Sequence, residues 1–255
     1  MPTITATIIT KNEGSRIKSC LQSLDWVDEI VVLDSGSSDN TVEICRQFTS
    51  QVFQTDWPGF GKQKNRAIEK ATGEWILSVD ADEIVTSELR LEIQQAISDG
   101  NFIGFEIPRL SSYCGQFIQH SGWWPDYVLR LFQSGKGQFS DSLIHERLHI
   151  NGTIGQLKAP LIHHSFENFE QVLNKVNHYS SLGAEQLYHS GKSASLTKAI
   201  LKGGWAFFRT FILKAGFLDG KKGVMLSISN AEGTYYKYLK LMLLHEKEQN
   251  ENSKN

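Results

Sequence analysis

A chain of 255 residues, 40% hydrophobic and 21% charged with a net charge of −2, holds enough apolar material for one sizeable core and excludes a disordered protein. No uncharged apolar run reaches the roughly 18 residues of a membrane-spanning helix, because Arg209, Lys214 and Asp219 break the most apolar region. The cysteines, Cys20, Cys45 and Cys114, are scattered and odd in number, which excludes a complete disulfide framework and suits a reducing cytoplasm; Met1 and Pro2 run into a predicted strand with no leader, so secretion is not expected.

Ile4 to Thr10 is short, apolar and β-branched, and predicts a first buried strand that ends in the loop Lys11, Asn12, Glu13, Gly14. Ile17, Cys20, Leu21 and Leu24 recur at helical spacing, and Ile30 to Leu33 predicts a second strand ending at Asp34. Asp39 is the expected N-cap of a helix carrying Val42, Ile44, Cys45 and Phe48. Val52 and Phe53 make a third strand, Lys62 to Ala71 a helix stopped by Gly73, and Trp75 to Val79 a fourth strand. Alternation of this kind predicts an α/β fold with a mostly parallel sheet flanked by helices.

Leu89, Ile93 and Ile97 then predict a helix over 87–98, and Phe102 to Ile107 alternates like a half-buried strand. Residues 115–155 are rich in aromatics, Gly and short strand-like pieces such as Tyr127 to Phe132, as a substrate-facing half would be. Helical spacing resumes in Phe169 to Leu187, in parts of Leu196 to Leu218, and in Ala231 to Leu244. The expected domains are a catalytic domain over 1–190, with a nucleotide half to about 110 and an acceptor half over 111–190, a helical extension over 191–245, and a frayed tail over 246–255.

Chemistry concentrates where strands end. Asp80, Ala81, Asp82 and Glu83 follow the fourth strand, and carboxylates at i and i+2 there can share a divalent cation that bridges a diphosphate. The competing reading is a solvated acidic turn capping the next helix. Asp34, Ser35, Gly36, Ser37, Ser38 and Asp39 form a second acidic turn, which either contacts a nucleobase and ribose or is an Asx turn and helix cap. Both turns end parallel strands and so would face one crevice.

The strand end Ile9 to Glu13, the turn Leu33 to Thr41, the helix Lys64 to Ile68 and the run Gly73 to Glu83 together resemble glycosyltransferase family 2. The resemblance implies a GT-A fold and an inverting transferase that uses a nucleotide-activated sugar, with a divalent cation, Mg2+ or Mn2+, on the DxD motif. Carried over, Thr10 lies near the base, Asp34 near the uridine, Asp80 on the ribose and metal, and Asp82 on the metal. Many relatives have a second Asp where this chain has Ser35, whose hydroxyl can still hydrogen-bond the base. Lys62 and Lys64 stand where the family often places a cation near the diphosphate; a solvated helix face is the other reading.

Gly122, Trp123, Trp124, Pro125, Asp126, then Leu129 to Phe132, Ile144, His145 and Glu146, and Ala215 to Gly220 with Gly223 resemble the lipopolysaccharide or lipooligosaccharide core glucosyltransferases. That resemblance implies a UDP-sugar donor, UDP-glucose, and a lipid-linked oligosaccharide acceptor on the cytoplasmic face of a bacterial inner membrane. Inverting transfer needs a base for the acceptor hydroxyl, and Glu146 is the candidate, with a surface ion pair to Arg147 as its alternative. Trp123 and Trp124 either stack on an acceptor sugar or divide between core and surface, and Arg130 contacts an acceptor anion or forms a structural ion pair.

Charge is unevenly placed: residues 1–191 hold 15 basic and 23 acidic groups and residues 192–255 hold 11 and 5, so the two parts carry −8 and +6. The basic part includes Trp205, Phe207, Phe208, Phe211 and Phe217, which favours peripheral contact with a bilayer over nucleic acid; helices that simply pack on the domain are the alternative. Two other functions remain: a sugar nucleotidyltransferase, which would want more glycine after the first strand, and a non-catalytic carbohydrate-binding or scaffold protein that has kept the fold.

Overall fold

A computed structural model of the chain describes residues 1–141 and 147–252. In chain order the elements are β1 (Ile4–Thr10), α1 (Ile17–Gln22), β2 (Glu29–Asp34), α2 (Thr41–Cys45), β3 (Val52–Gln54), α3 (Phe60–Ile68), β4 (Trp75–Asp80), β5 (Glu83–Val85), α4 (Ser87–Asp99) and β6 (Gly104–Tyr113). Then come β7 (Gln116–Phe117), β8 (Asp126–Gln133), β9 (Gly137–Phe139), β10 (Leu148–Ile150), β11 (Ile154–Gln156) and β12 (Leu161–Phe166). Three helices follow, α5 (Phe169–His189), α6 (Leu196–Phe208) and α7 (Gly220–Asn252); between the last two lie a π-helical turn, Arg209–Leu213, and a 3-10 turn, Gly216–Asp219.

The residues fall into two compact units, Met1–Leu110 with Asp126–His163, and Ser111–Pro125 with His164–Asn255. In the first, β3, β2, β1 and β4 are neighbours and run parallel throughout. Antiparallel β8 extends this sheet beside β4, and β6 beside β8. β1 and β4 are covered on both faces, so successive residues are buried along each strand, Thr5 and Thr7 of β1 included. Ile8, Leu77 and Val79 from these strands meet Ile17, Leu21, Leu89 and Ile93 from the helices in one core.

Element ends differ from the sequence expectation for local reasons. α2 takes Asn40 rather than Asp39 as its N-cap, yet Asp39 still accepts from the Thr41 N–H at 3.1 Å and from the Thr41 hydroxyl. α3 begins at Phe60, after Gly59 at φ +108°, and its expected last turn is replaced by tighter bonds, Lys70 N–H to Ala67 and Ala71 N–H to Ile68. β6 continues through Pro108, where the missing N–H breaks the sequence signal but not the strand. β5 forms where the competing reading placed a solvated acidic turn; it pairs antiparallel with β12, and its Glu83 is buried against Arg130. α7 remains helical to Asn252.

In the second unit Tyr113, Ile118, Phe166, Val172 and Leu226 form the core, and the Tyr113 hydroxyl lies 2.9 Å from that of Ser229. Buried Asp219 accepts from the backbone N–H of Gln119 and His120, from the His120 ring at 3.1 Å and from the Ser121 hydroxyl at 2.8 Å. Asp219→Ala strands these donors, so a loss of about 2–3 kcal/mol is expected, read as a lower urea midpoint. Nearby, a Cβ on Gly223 would fall 1.8 Å from the Gly216 carbonyl oxygen, so this turn requires glycine.

Candidate active site

Parallel register sets the site. It pairs Thr10 with Asp34 across β1 and β2, and Ile9 with Asp80 across β1 and β4. Thr10, Asp34 and Asp80 therefore share the carboxyl edge of three adjacent strands, the edge at which open α/β sheets bind ligands.

Asp34 is fully buried, and its carboxylate accepts from the N–H groups of Gly36 and Ser37 at 3.0 and 2.9 Å and from the Ser37 hydroxyl. Its charge shapes the turn, with Gly36 at φ +82° allowing the reversal, so the Asx-turn reading describes it. Ser35 accepts from the Gln63 amide at 3.0 Å, and that amide also donates to Thr55 at 2.7 Å; the Ser35 hydroxyl hydrogen remains a donor. Thr10 is buried, and its hydroxyl has no hydrogen-bond partner among the described residues.

An orphaned hydroxyl is costly to folding and useful to a ligand. Thr10→Val is accordingly expected to leave the melting temperature unchanged or raised, which a thermal melt of the variant measures.

Asp80 sits between two cations, with Lys64 Nζ at 3.0 Å and the Arg130 guanidinium in direct contact. Burial alone would push the Asp80 carboxyl up, but Arg130 and then Lys64 hold it well below the usual carboxylate range. Arg130, itself buried, also donates to Glu83 at 2.7 Å; burial works against its charge, and Asp80 and Glu83 outweigh burial and push its pKa up. Glu83 accepts the Asp80 N–H at 2.9 Å and lies 3.6 Å from Arg109, which donates to Asp126 at 2.7 and 3.0 Å. Charges thus alternate along Lys64, Asp80, Arg130, Glu83, Arg109 and Asp126.

For Arg130 the ion-pair reading describes its contacts in this structure, and the two Asp80 oxygens are engaged by Lys64 and Arg130. Lys64 is likewise buried, with Phe139 5.2 Å beneath its ammonium, whereas Lys62 is exposed on α3. Trp123 packs against the core of the second unit, its ring 5.9 Å from that of Tyr113 and 6.2 Å from that of Phe166; Trp123 and Trp124 are both half-buried. Glu146 and its neighbour His145 lie outside the described residues.

Asp82 is only partly buried, with His163 Nε2 3.3 Å and Arg16 3.9 Å from its carboxylate. Among the described residues no three His, Cys, Asp or Glu side chains converge as a closed metal cage. An open Mg2+ or Mn2+ site needs less, since one or two protein ligands suffice when phosphate oxygens and water complete the shell. Asp82 and His163 could contribute to such a site, and Asp80 would join it only by exchanging Lys64 or Arg130 for the ion.

Gln63, Glu83, Arg109 and His163 were not assigned roles by the sequence. Glu83 carried a local signal, standing three residues after Asp80 in the acidic run, but its partner Arg130 is 47 residues away.

The model of the family described as Glycosyl transferase family 2 matches residues 5–148. A glycosyltransferase of Rickettsia prowazekii is 30% identical over 98% of this chain and 90% of its own length. The lipopolysaccharide core biosynthesis glycosyltransferase LpsC of Rhizobium meliloti is 27% identical over 92% of this chain and 93% of its own. Among solved structures, S. aureus TarS 1–349 in complex with UDP-GlcNAc is similar in fold, with a TM-score of 0.51 and 19% identity over 91% of this chain and 80% of that one. With the family motifs on adjoining strand ends and these relatives matched along nearly its whole length, the chain belongs to glycosyl transferase family 2 and is a glycosyltransferase of GT-A fold.

Proposed function

We propose that this glycosyltransferase moves a hexose, glucose from UDP-glucose, by inversion onto the inner core of a bacterial lipopolysaccharide or lipooligosaccharide at the cytoplasmic face of the inner membrane. The observation that carries the reading is the shared edge of Thr10, Asp34 and Asp80, where a buried hydroxyl lacks a partner among the described residues beside a charged cluster. LpsC, similar to this chain over most of both lengths, supports the acceptor class.

In this reading Thr10 and Ser35 contact the base and Asp34 holds the turn that carries Ser35. Asp82 and His163 would hold a divalent cation, which when bound neutralises negative charge growing on the departing diphosphate. Lys64 and Arg130 fix the Asp80 carboxylate at the strand end, so that it faces the ribose in one orientation. Glu146 takes the proton from the acceptor hydroxyl as its oxygen attacks the anomeric carbon from the face opposite the nucleotide. A positioned base of this kind is worth about 100-fold to 10,000-fold in rate.

Calorimetry with UDP in the presence and absence of manganese tests the reading, followed by a screen of UDP-sugars by thermal shift. A ligand at 100 times its dissociation constant should stabilise the fold by about 2.7 kcal/mol. Absence of any manganese-linked binding of UDP would overturn the proposed donor and its metal.

A further inference from the structure

Within the second unit α6 is built inside out. Its inward side consists of small residues, Ala199, Gly203 and Ala206, with Gly203 close against Tyr235 and Ala231 of α7. Its outward stripe is large and apolar: Leu201, Trp205, Phe208 and, one turn on, Ile212, with Leu201 68% and Trp205 54% exposed. A helix serving only the core of a soluble protein turns its bulk the other way.

Phe217 and Leu218 extend this surface at the tip of the 3-10 turn, Leu218 being 60% exposed. Their exposure is built rather than incidental. Ala215 at φ +52° and Gly220 at φ +61° reverse the chain on either side, and Asp219, directly after the tip, is pinned by Gln119, His120 and Ser121. A loop free to rearrange would fold two such side chains inward.

Charge identifies the occupant. Residues 196–224 contain six basic side chains and one acidic, Asp219, which is buried. Lys202, Arg209, Lys214 and Lys221 are exposed beside the apolar stripe. Among the described residues no helix is long and apolar enough to cross a membrane. We infer that the face formed by α6, the π-helical turn and the Phe217–Leu218 tip lies on an anionic lipid bilayer, with the aromatic and aliphatic groups among the acyl chains and the lysines at the headgroups. The inference deepens the lipid-linked acceptor reading by naming the surface that would meet the lipid.

The test is co-sedimentation of the full chain with vesicles of phosphatidylcholine alone and of phosphatidylcholine with phosphatidylglycerol, neither containing acceptor. Binding should be about tenfold or more stronger to the anionic vesicles and weaken with salt. F217S/L218S should lower partitioning by about 100-fold, and K221E/K222E should remove most of the anionic preference. Circular dichroism and manganese-linked UDP binding should match wild type in both variants, so a failure of the transfer reading and a failure of this one give different results. Wild-type protein that ignores vesicles, or binds neutral and anionic ones alike, overturns the inference. So does a dimer, seen by light scattering, that F217S/L218S dissolves, because a second copy would then cover the face.

Discussion

Arg130→Met should lower folding stability by about 3–5 kcal/mol, read as a fall in the urea midpoint with little change in slope. The guanidinium is buried between Asp80 and Glu83, and Glu83 has no solvent exposure of its own. Methionine fills much of the same volume but leaves two carboxylates facing each other, with only Lys64 on the far side of Asp80 and Arg109 at 3.6 Å from Glu83. The pH dependence adds a second check. In wild type the Asp80 carboxyl is depressed, so its pairing stabilises the fold above the unfolded carboxylate pKa of about 3.9 and is lost only as pH falls below that value. Without Arg130 the same carboxyl rises, and protonating it relieves the repulsion. The deficit of Arg130→Met relative to wild type should therefore be largest near neutrality and shrink on acidification. Arg130→Lys, which keeps the charge but not the planar guanidinium whose one terminal nitrogen reaches both carboxylates, should lie between them. A loss below about 1 kcal/mol at neutral pH would show that water screens these groups as it does surface pairs.

Asp82→Asn should leave folding intact and remove the manganese dependence of UDP binding, with kcat/KM falling by about 100-fold to 1,000-fold. Its contacts to His163 and Arg16, at 3.3 and 3.9 Å, are long, and the side chain is part-exposed, so little stability depends on them. The contrast with Asp80→Asn is the informative measurement. Removing charge at Asp80 leaves Lys64 and Arg130 without their shared partner, and that variant should lose stability as well as activity. Two carboxylates separated by one residue thus have distinct failures, one in the fold and one in the chemistry. Full activity of Asp82→Asn, or turnover unaffected by EDTA, counts against a cation at this site.

What could be read from the sequence was local. β1, β2 and β4 announce themselves as short β-branched runs, and the residues that end them, Thr10, Asp34 and Asp80, fall at the carboxyl edge because the strand pattern puts them there. The role of Arg130 was not legible, since its side chain reaches carboxylates 47 and 50 residues away and no spacing rule connects them. Trp123 and Trp124 were ambiguous for a related reason: only tertiary packing shows that the Trp123 ring lies against Tyr113 and Phe166 while staying half-buried. In α6 the helical spacing was legible but the inward face was not, because both sides are apolar. Size separates them, and which size faces α7 depends on Tyr235 and Ala231, some thirty residues further on.

The alternating row from Lys64 to Asp126 has three cations and three anions, so this part of the cradle is electrically balanced before any substrate arrives. A balanced cradle gives little attraction to a bare polyanion and little to a naked divalent ion. It suits a cargo that is already neutralised, so metal and sugar nucleotide should enter as one package, and each should raise the protein's affinity for the other when the two are titrated in either order.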